Sequence, residues 1–501
     1  MIVASILVPV CAGLLLLLPG WKNRKNLCIY TAVILALSGV LAVAALFVTK
    51  DNVPVTVFSL TRNLPVLFKA DGISRFFAAV TTVVWLAAGL YSFSYMSREK
   101  REKGYYGFYL IVYGILLGLD FAGNIITFYV FYELMTLASL PLVMHTRTRE
   151  AVLAGLKYLF FSLAGAYMVL FGIYFLNRYA NTLTFTAGGV LDMSLLEGKG
   201  GLLLTAAFLM LFGFGVKAGM YPMHVWLTAA HPVAPAPASA ALSGVIVKAG
   251  VLGVVRTVYF LFGTEFIRGT WVQKTWLALI LVTILTGSAM ACREKALKKR
   301  LAYSTVSQVS YILLGIALLT PQGFVGALLH TGSHALMKCG LFLTAGAIIR
   351  KTGKTRVDEL AGIGKKMPAT MWCFLVFSLS LIGMPPFAGF VSKWYLGLGC
   401  MESGLPVYGV LGAVILLVSA MLTALYLLPI AVKGFLPGKG YRGQPGEVSD
   451  EPAVKREEAP LLMCISMAVL ALAVLLLGMF PGKILESCGS MAGILFKGVA
   501  G

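Results

Sequence analysis

Apolar runs about 20 residues long, each bounded by charge, glycine or proline, recur from one end of the 501-residue chain to the other. A helix needs about that length to cross the hydrocarbon core of a bilayer, with its backbone groups bonded internally. The runs fall at about 2–20, 27–49, 76–96, 105–122, 124–144, 155–176, 201–220, 238–262, 275–292, 301–320, 323–349, 369–395, 405–432 and 460–481. The chain is 59% hydrophobic and 12% charged, with a mean hydropathy of +0.88, whereas soluble domains carry about 25% charge. A water-soluble enzyme, a disordered tail and a disulfide-stapled secreted domain are excluded. The expected fold is an all-α polytopic membrane protein of about fourteen transmembrane helices. No basic residue precedes the first run, which therefore reads as a permanent span and not as a cleaved signal.

A formal net charge of +21 would suggest a nucleic-acid partner in a soluble chain, but here the placement of the basic residues decides. Of 41 Lys and Arg, 26 lie in the loops 21–26, 97–104, 145–157, 293–300, 350–367 and 433–459. The positive-inside rule puts those loops in the cytoplasm and both termini on the other side of a membrane, expected to be a prokaryotic plasma membrane. No nucleic-acid partner is implied. The loop 433–459, rich in Pro, Gly and charge, reads as a charged cytoplasmic linker. The eight cysteines show no CxxC and no cluster at metal-ligand spacing, so reduced thiols and no iron–sulfur centre are expected in this chain.

Two spans are interrupted in comparable ways, a pointer to a transport site built from an internal repeat. GVKAGMYPMHVWL (215–227) is broken at Pro222, and GMPPFAGFVSKWYL (383–396) at Pro385 and Pro386. Prolines also simply kink membrane helices. Two breaks, each with a lysine nearby, favour the transport reading.

Glu133, Lys217, Lys248, Lys338 and Lys393 lie well inside apolar runs. Each central charge costs about 2.5–3.5 kcal/mol on insertion scales. Four lysines facing one glutamate cannot all be paired, so some must be neutral part of the time or stand in water, as a proton relay requires. For Glu133 the alternative is a fixed ion pair between two helices. His330, His334 and Lys338 recur at i, i+4 and i+8, on one helix face, and suggest a wet polar stripe. His224 and His231 flank the first break and either continue the chain or cap a helix. Arg256 and Asp120 lie near span ends and are expected to snorkel, without a role. No phosphate loop, dinucleotide fingerprint, zinc motif or nucleophile elbow occurs.

These residues also carry a resemblance. FYVFYELMTLASLPLV (128–143), the block 216–256, LKKRLAYSTVSQVSYILLG (297–315), HTGSHALMKCGLFLTAG (330–346) and MPPFAGFVSKWYL (384–396) resemble the antiporter-like membrane subunits shared by respiratory complex I, Mrp-type Na+/H+ antiporters and membrane-bound hydrogenases. The resemblance implies two inverted five-helix repeats, each with a broken helix, and the divisions 1–104, 105–262, 263–432, 433–459 and 460–501. It implies Glu133 and Lys217 as the coupled pair of a first half-channel and Lys248 as the bridge. His334 and Lys338 would belong to a central hydrophilic axis, and Lys393 would end the second half-channel. Lys393 stands where some members carry glutamate, and the chain ends soon after its last span, unlike the largest complex I subunit of this kind.

The function expected is translocation of protons, or another cation, within a redox-driven complex of hydrophobic subunits, with the Mrp-type Na+/H+ antiporter as the alternative. Flavin, iron–sulfur, other metal or quinone sites would then belong to partner chains. No catalytic or metal residue is expected here. A self-sufficient carrier of an organic solute and a pure scaffold are the remaining readings. The first expects a polar and aromatic pocket at the half-helix ends, and the second tolerates replacement of the buried lysines.

Overall fold

A computed structural model describes residues 1–21, 23–49, 53–61, 64–195, 197–437 and 456–496. The first third comprises α1 (Ile2–Leu17), α2 (Arg24–Val48), a β1–β2 hairpin (Val55–Thr61 and Leu64–Phe68), α3 (Gly72–Tyr95), α4 (Glu102–Asp120), α5 (Ile125–Val143) and α6 (Arg149–Tyr179). Next come α7 (Gly200–Ala218), α8 (Val225–Val233), α9 (Ala236–Ala241), a π-helical turn (Leu242–Ile246), α10 (Val247–Arg256), a second π turn (Thr257–Phe262) and α11 (Thr264–Ile267). The remainder is α12 (Trp271–Arg293), α13 (Leu297–Ala317), α14 (Pro321–Thr352), α15 (Ile363–Lys366), α16 (Pro368–Ile382), α17 (Ala388–Met401), α18 (Pro406–Phe435), α19 (Leu461–Met479) and α20 (Gly482–Leu495). Among the described residues, ten helical segments are long and apolar enough to cross a membrane, with α1 and α16 as shorter apolar helices. The protein is an integral membrane protein.

Burial sorts the helices. The segment 236–262 and α14 are enclosed by protein almost throughout, whereas α2, α18 and α19 turn most of their apolar surface outward. An apolar helix gains nothing hydrophobic by leaving lipid, so close approach at small residues has to hold such helices together. The α1–α4 contact shows it: a Cβ on Gly13 would stand 2.5 Å from the Gly107 carbonyl oxygen, and one on Gly114 would stand 2.3 Å from that of Ile6. At the turn after α4, the Asn124 side chain accepts the Thr127 amide at 2.7 Å and caps α5. The apolar runs 105–122 and 124–144 are therefore separate helices.

Three features differ from the sequence reading. The segment Val55–Phe68 forms an antiparallel hairpin, because its β-branched and aromatic residues are too few to span a bilayer and suit paired strands. The tail beyond 481 contains the helix α20. Helix α18 runs on to Phe435, into the linker expected at 433–459, of which residues 438–455 lie outside the described residues.

The fourth difference concerns charge. Arg256 and Asp120, expected to snorkel, are instead enclosed, at 1% and 3% exposure. Asp120 accepts the Thr81 hydroxyl at 2.7 Å. Arg256 forks onto Asp71, at 2.7 Å to Oδ2 and 2.9 Å to Oδ1, and reaches the Ser74 hydroxyl at 2.9 Å. Its guanidinium lies against the Phe185 and Phe260 rings, 4.8 and 4.5 Å from their centroids. Asp71 also caps α3 by accepting the Ser74 amide. Burial alone would raise the Asp71 carboxyl, but the Arg256 guanidinium and the Ser74 amide outweigh it and hold it below the usual carboxylate range. One ion pair thus ties α3, the 180–191 loop and the end of α10 together. Snorkelling fails because Asp71, on a distant segment, supplies the counter-charge inside.

Removing one partner of such a pair strands the other, at a cost of about 3–5 kcal/mol. Asp71→Ala is expected to lower the unfolding temperature of the purified protein, whereas Asp71→Leu with Arg256→Leu recovers most of the loss. A thermal-shift measurement on the three forms checks this.

Candidate functional site: a buried line of lysines and histidines

Both interrupted spans end a helix part-way along an apolar run. After α7 the chain turns left-handed at Gly219 (φ 81°) before α8 resumes, and after α16 it does so at Gly383 (φ 96°) before α17. Pro222, Pro385 and Pro386 occupy the gaps. Each break leaves carbonyls without intrahelical partners and directs the negative end of a helix dipole inward. Lys393, on α17, folds back to donate to two of them, Leu381 O at 2.7 Å and Ile382 O at 2.8 Å. A Cβ on residue 383 would meet the Lys393 Cδ at 2.8 Å, so glycine there gives the lysine its room.

Lys217, in the last turn of α7, is fully enclosed and solvated differently. Its Nζ donates to Thr136 Oγ1 on α5 at 2.8 Å, and to Tyr158 OH at 2.9 Å and Ser162 Oγ at 3.0 Å on α6. It also stands 4.3 Å from the centre of the Tyr158 ring. An ammonium has three protons to donate, and three neutral oxygens receive them. The Tyr158 hydroxyl is bonded onward to Ser139 Oγ at 2.7 Å. Glu133, three residues before Thr136 on α5, is half-buried, and its Oε1 is enclosed without a hydrogen-bond partner. Lys217 therefore touches the helix that carries Glu133 without forming an ion pair with it.

Lys248 lies beyond the crossing of α10 over α7, where a Cβ on Gly250 would come within 3.1 Å of the Lys217 Cβ. The Lys248 Nζ is 2.7 Å from His334 Nδ1 and 2.5 Å from the Ser243 carbonyl oxygen, in the π turn that interrupts the helical ladder. On α14 the His334 and His330 rings are 5.7 Å apart, and His330 Nδ1 is 2.9 Å from Ser392 Oγ, the neighbour of Lys393. Lys338, one turn beyond His334, donates to Leu301 O at 3.0 Å. That carbonyl also accepts the Thr305 hydroxyl, which is bonded to Ser243 Oγ at 2.8 Å. The line Lys217, Lys248, His334, His330, Lys393 thus runs through the protein interior, with Lys338 beside it.

The outlying histidines differ. His231 is fully buried, stacked 4.4 Å from Phe342, and neither ring nitrogen has a partner. His224 is half-buried beside Tyr221, away from the line. The sequence reading missed Thr136, Tyr158, Ser162, Ser243 and Ser392, which supply most of the oxygen and nitrogen contacts. Tyr158 and Ser162 do stand at i and i+4, one helix face, but hydroxyls at that spacing are commonplace. Among the described residues none of the four lysines is ion-paired, and no cluster of three metal-ligating side chains occurs.

The family model described as "NADH:quinone oxidoreductase/Mrp antiporter, TM" matches residues 122–423, a stretch holding every residue of the line. The chain belongs to this family. It is 36% identical to NADH-quinone oxidoreductase subunit N of Desulforudis audaxviator over 409 residues, covering 80% of this chain and 79% of that protein. It is 32% identical to Hydrogenase-4 component B of Escherichia coli over 427 residues, covering 80% of this chain but 61% of the relative. A chain of the Mrp complex from Dietzia sp. superposes with a TM-score of 0.84 at 24% identity, covering 99% of this chain and 97% of that one, a likeness of fold. Within the family fold, the line occupies the enclosed centre and not the lipid face.

The second break depends on an intimate helix contact. A Cβ on Gly389 would fall 1.7 Å from the Ser380 carbonyl oxygen, whereas one on Gly397 meets nothing within 4 Å. Gly389→Ala is expected to part α16 from α17 and lower both stability and transport, while Gly397→Ala leaves both unchanged. Thermal stability and ion flux, measured on both variants, check this.

Proposed function

We propose that the chain is the cation-translocating membrane subunit of a redox-driven complex and that the ion is H+. The observation that carries this reading is the set of four lysines, three enclosed and Lys393 partly buried, held by hydroxyls, an imidazole and backbone carbonyls, with no carboxylate in contact among the described residues. An ammonium without a counter-charge in a low-dielectric interior is poised to lose its proton, and neutral hydroxyl partners serve the amine as well as the ammonium. Each lysine can then pass from charged to neutral without rebuilding its surroundings.

Protonation changes would propagate along Glu133, Lys217, Lys248, His334, Lys338 and Lys393, with His330 bridging to Ser392 and His231 at the margin. Glu133 acts on Lys217 through its charge, across the turn that carries Thr136, and its free oxygen leaves it able to gain or lose a partner. The sequence kinship with a named oxidoreductase subunit and a hydrogenase component supports a place beside other hydrophobic subunits of a multisubunit complex. Redox cofactors would sit in those partners. The loops rich in Lys and Arg would face the cytoplasm of a prokaryotic cell, with both termini on the opposite side.

Inverted vesicles bearing the assembled complex provide the test. Lys217→Ala and Glu133→Ala are each expected to reduce donor-driven proton uptake by about a hundredfold or more, the scale of one positioned proton-transfer group. Assembly, followed on native gels, should be unchanged. Normal uptake by a fully assembled Glu133→Ala variant would overturn the assignment. Donor-free exchange of Na+ for H+ would instead identify an antiporter of the Mrp type.

A further inference from the structure

Helices α5 and α6 supply all three oxygens around Lys217, and the turn that joins them, residues 144–148, holds a buried titratable group outside the lysine line. His145 follows the last residue of α5 by two positions, at the edge of a basic loop, yet is only 8% exposed. Its ring meets the Tyr105 ring of α4 edge-on, with 5.7 Å between centroids, and its enclosed Nε2 has no hydrogen-bond partner. From the chain entering α4 it faces the Lys100 backbone and the Arg101 side chain, and from its own turn Arg147. Burial and these two cations hold the imidazole pKa below its ordinary value, against a hydrogen bond to the Lys100 backbone. Both arginines are left-handed, at φ 64° and 54°, a region that residues with a Cβ adopt only under constraint.

Packing connects the turn to the lysine. A Cβ on Gly155 of α6 would run into the Met144 side chain, so the residue before His145 rests directly on the α6 backbone. Tyr158 stands one helical turn beyond that contact, and its hydroxyl is bonded back to Ser139 of α5 at 2.7 Å. The two helices are thus the arms of one hairpin, hinged at 144–148. Lys217 Nζ lies across the arms, on Thr136 of one and on Tyr158 and Ser162 of the other. Thr136 is roughly 14 Å along α5 from the hinge. Thr146, next to His145, also walls a cavity of about 310 Å3 with Tyr95, Glu99, Pro232 and Lys298, which gives the turn room to move.

We infer that the 144–148 turn is a pH-operated latch on the Lys217 site: neutral His145 keeps α5 against α6, and a proton taken from the adjacent aqueous face releases the turn and parts the oxygens around the lysine. Its effect on transport rests on the translocation function proposed above. One proton adds to Nε2, the ring nitrogen without a partner, and no other bond forms or breaks. The imidazolium would then stand enclosed beside Arg101 and Arg147, with no carboxylate among the groups that act on it. Swinging into water relieves both the burial and the repulsion. A released, hydrated imidazole titrates near about 6.5, above the latched one. Latching is therefore fully present above about pH 6.5 and is lost as the pH falls below it, by up to tenfold per pH unit. Acid on that face slows translocation.

Hydrogen–deuterium exchange on the assembled complex reads the latch without reference to transport. It is followed for the peptide covering 144–148, corrected for the intrinsic pH dependence of exchange. In wild type the opening of the turn is expected to rise up to about tenfold between about pH 6.5 and 5.5, whereas His145→Gln, which does not titrate, stays level. Arg147→Asn removes one facing cation and tolerates a left-handed backbone. It should weaken the pH dependence, and it carries the test if His145→Gln fails to assemble. Donor-driven proton uptake should fall over the same interval in wild type, and by less in His145→Gln. Opening curves that are the same in wild type and in both variants would overturn the latch and leave the translocation function standing. Acid opening of the turn with one shared pH profile of uptake would overturn its link to Lys217. Were uptake normal in Glu133→Ala, the translocation function would fall, while a difference in exchange between wild type and His145→Gln would still support the latch.

Discussion

Three enclosed lysines and a fourth, Lys393, partly buried, all without carboxylate partners, set the terms for the rest of the molecule. A buried charge has to be solvated by something, and the fold supplies three substitutes for water. Lys217 receives hydroxyls from two helices, Lys248 an imidazole and a π-turn carbonyl, and Lys393 the carbonyls at the end of a broken helix. Each substitute constrains architecture: α5 and α6 must bring Thr136, Tyr158 and Ser162 to one point, and α16 must stop where Lys393 can reach its end.

The contrast with Arg256 is instructive. That cation does have a carboxylate, in bidentate contact and under two aromatic rings, and it joins segments that are far apart in sequence. Full pairing fixes a charge in place, which suits a structural clasp. Partial solvation by neutral groups leaves the lysines free to change protonation state, which suits transport. On the proposed function the two kinds of buried cation would serve opposite purposes, and the difference would lie in their partners.

Much of this was readable from the order of residues. The breaks at Pro222 and Pro385–Pro386 were readable because each set proline close to a lysine within an apolar run; proline alone would not suffice, since Pro9, Pro141 and Pro429 lie inside continuous helices. The i, i+4, i+8 spacing of His330, His334 and Lys338 placed them on one face. Glu133 and the four lysines stood out because charge is costly in such runs. Asp71 did not stand out, since an aspartate before a helix reads as an ordinary cap, and so its pairing with Arg256 was missed. Thr136, Tyr158 and Ser162, which solvate Lys217, were equally silent, because hydroxyl residues are unremarkable in membrane helices until they meet.

The sequence by itself determined the solvent, the helical class, the sites of interruption and the residues whose charge demands an explanation. All of these depend on local composition and on periodicity along one helix. Only the tertiary structure decided which groups answer those charges: that Lys217 rests on hydroxyls and not on Glu133, that Lys248 meets His334, and that Arg256 finds Asp71. The reason is physical. The cost of burying a charge belongs to a residue and can be read where it stands, whereas much of the compensation comes from partners far along the chain, 81 positions for Lys217 and Thr136 and 185 for Arg256 and Asp71, brought near only by how the helices pack.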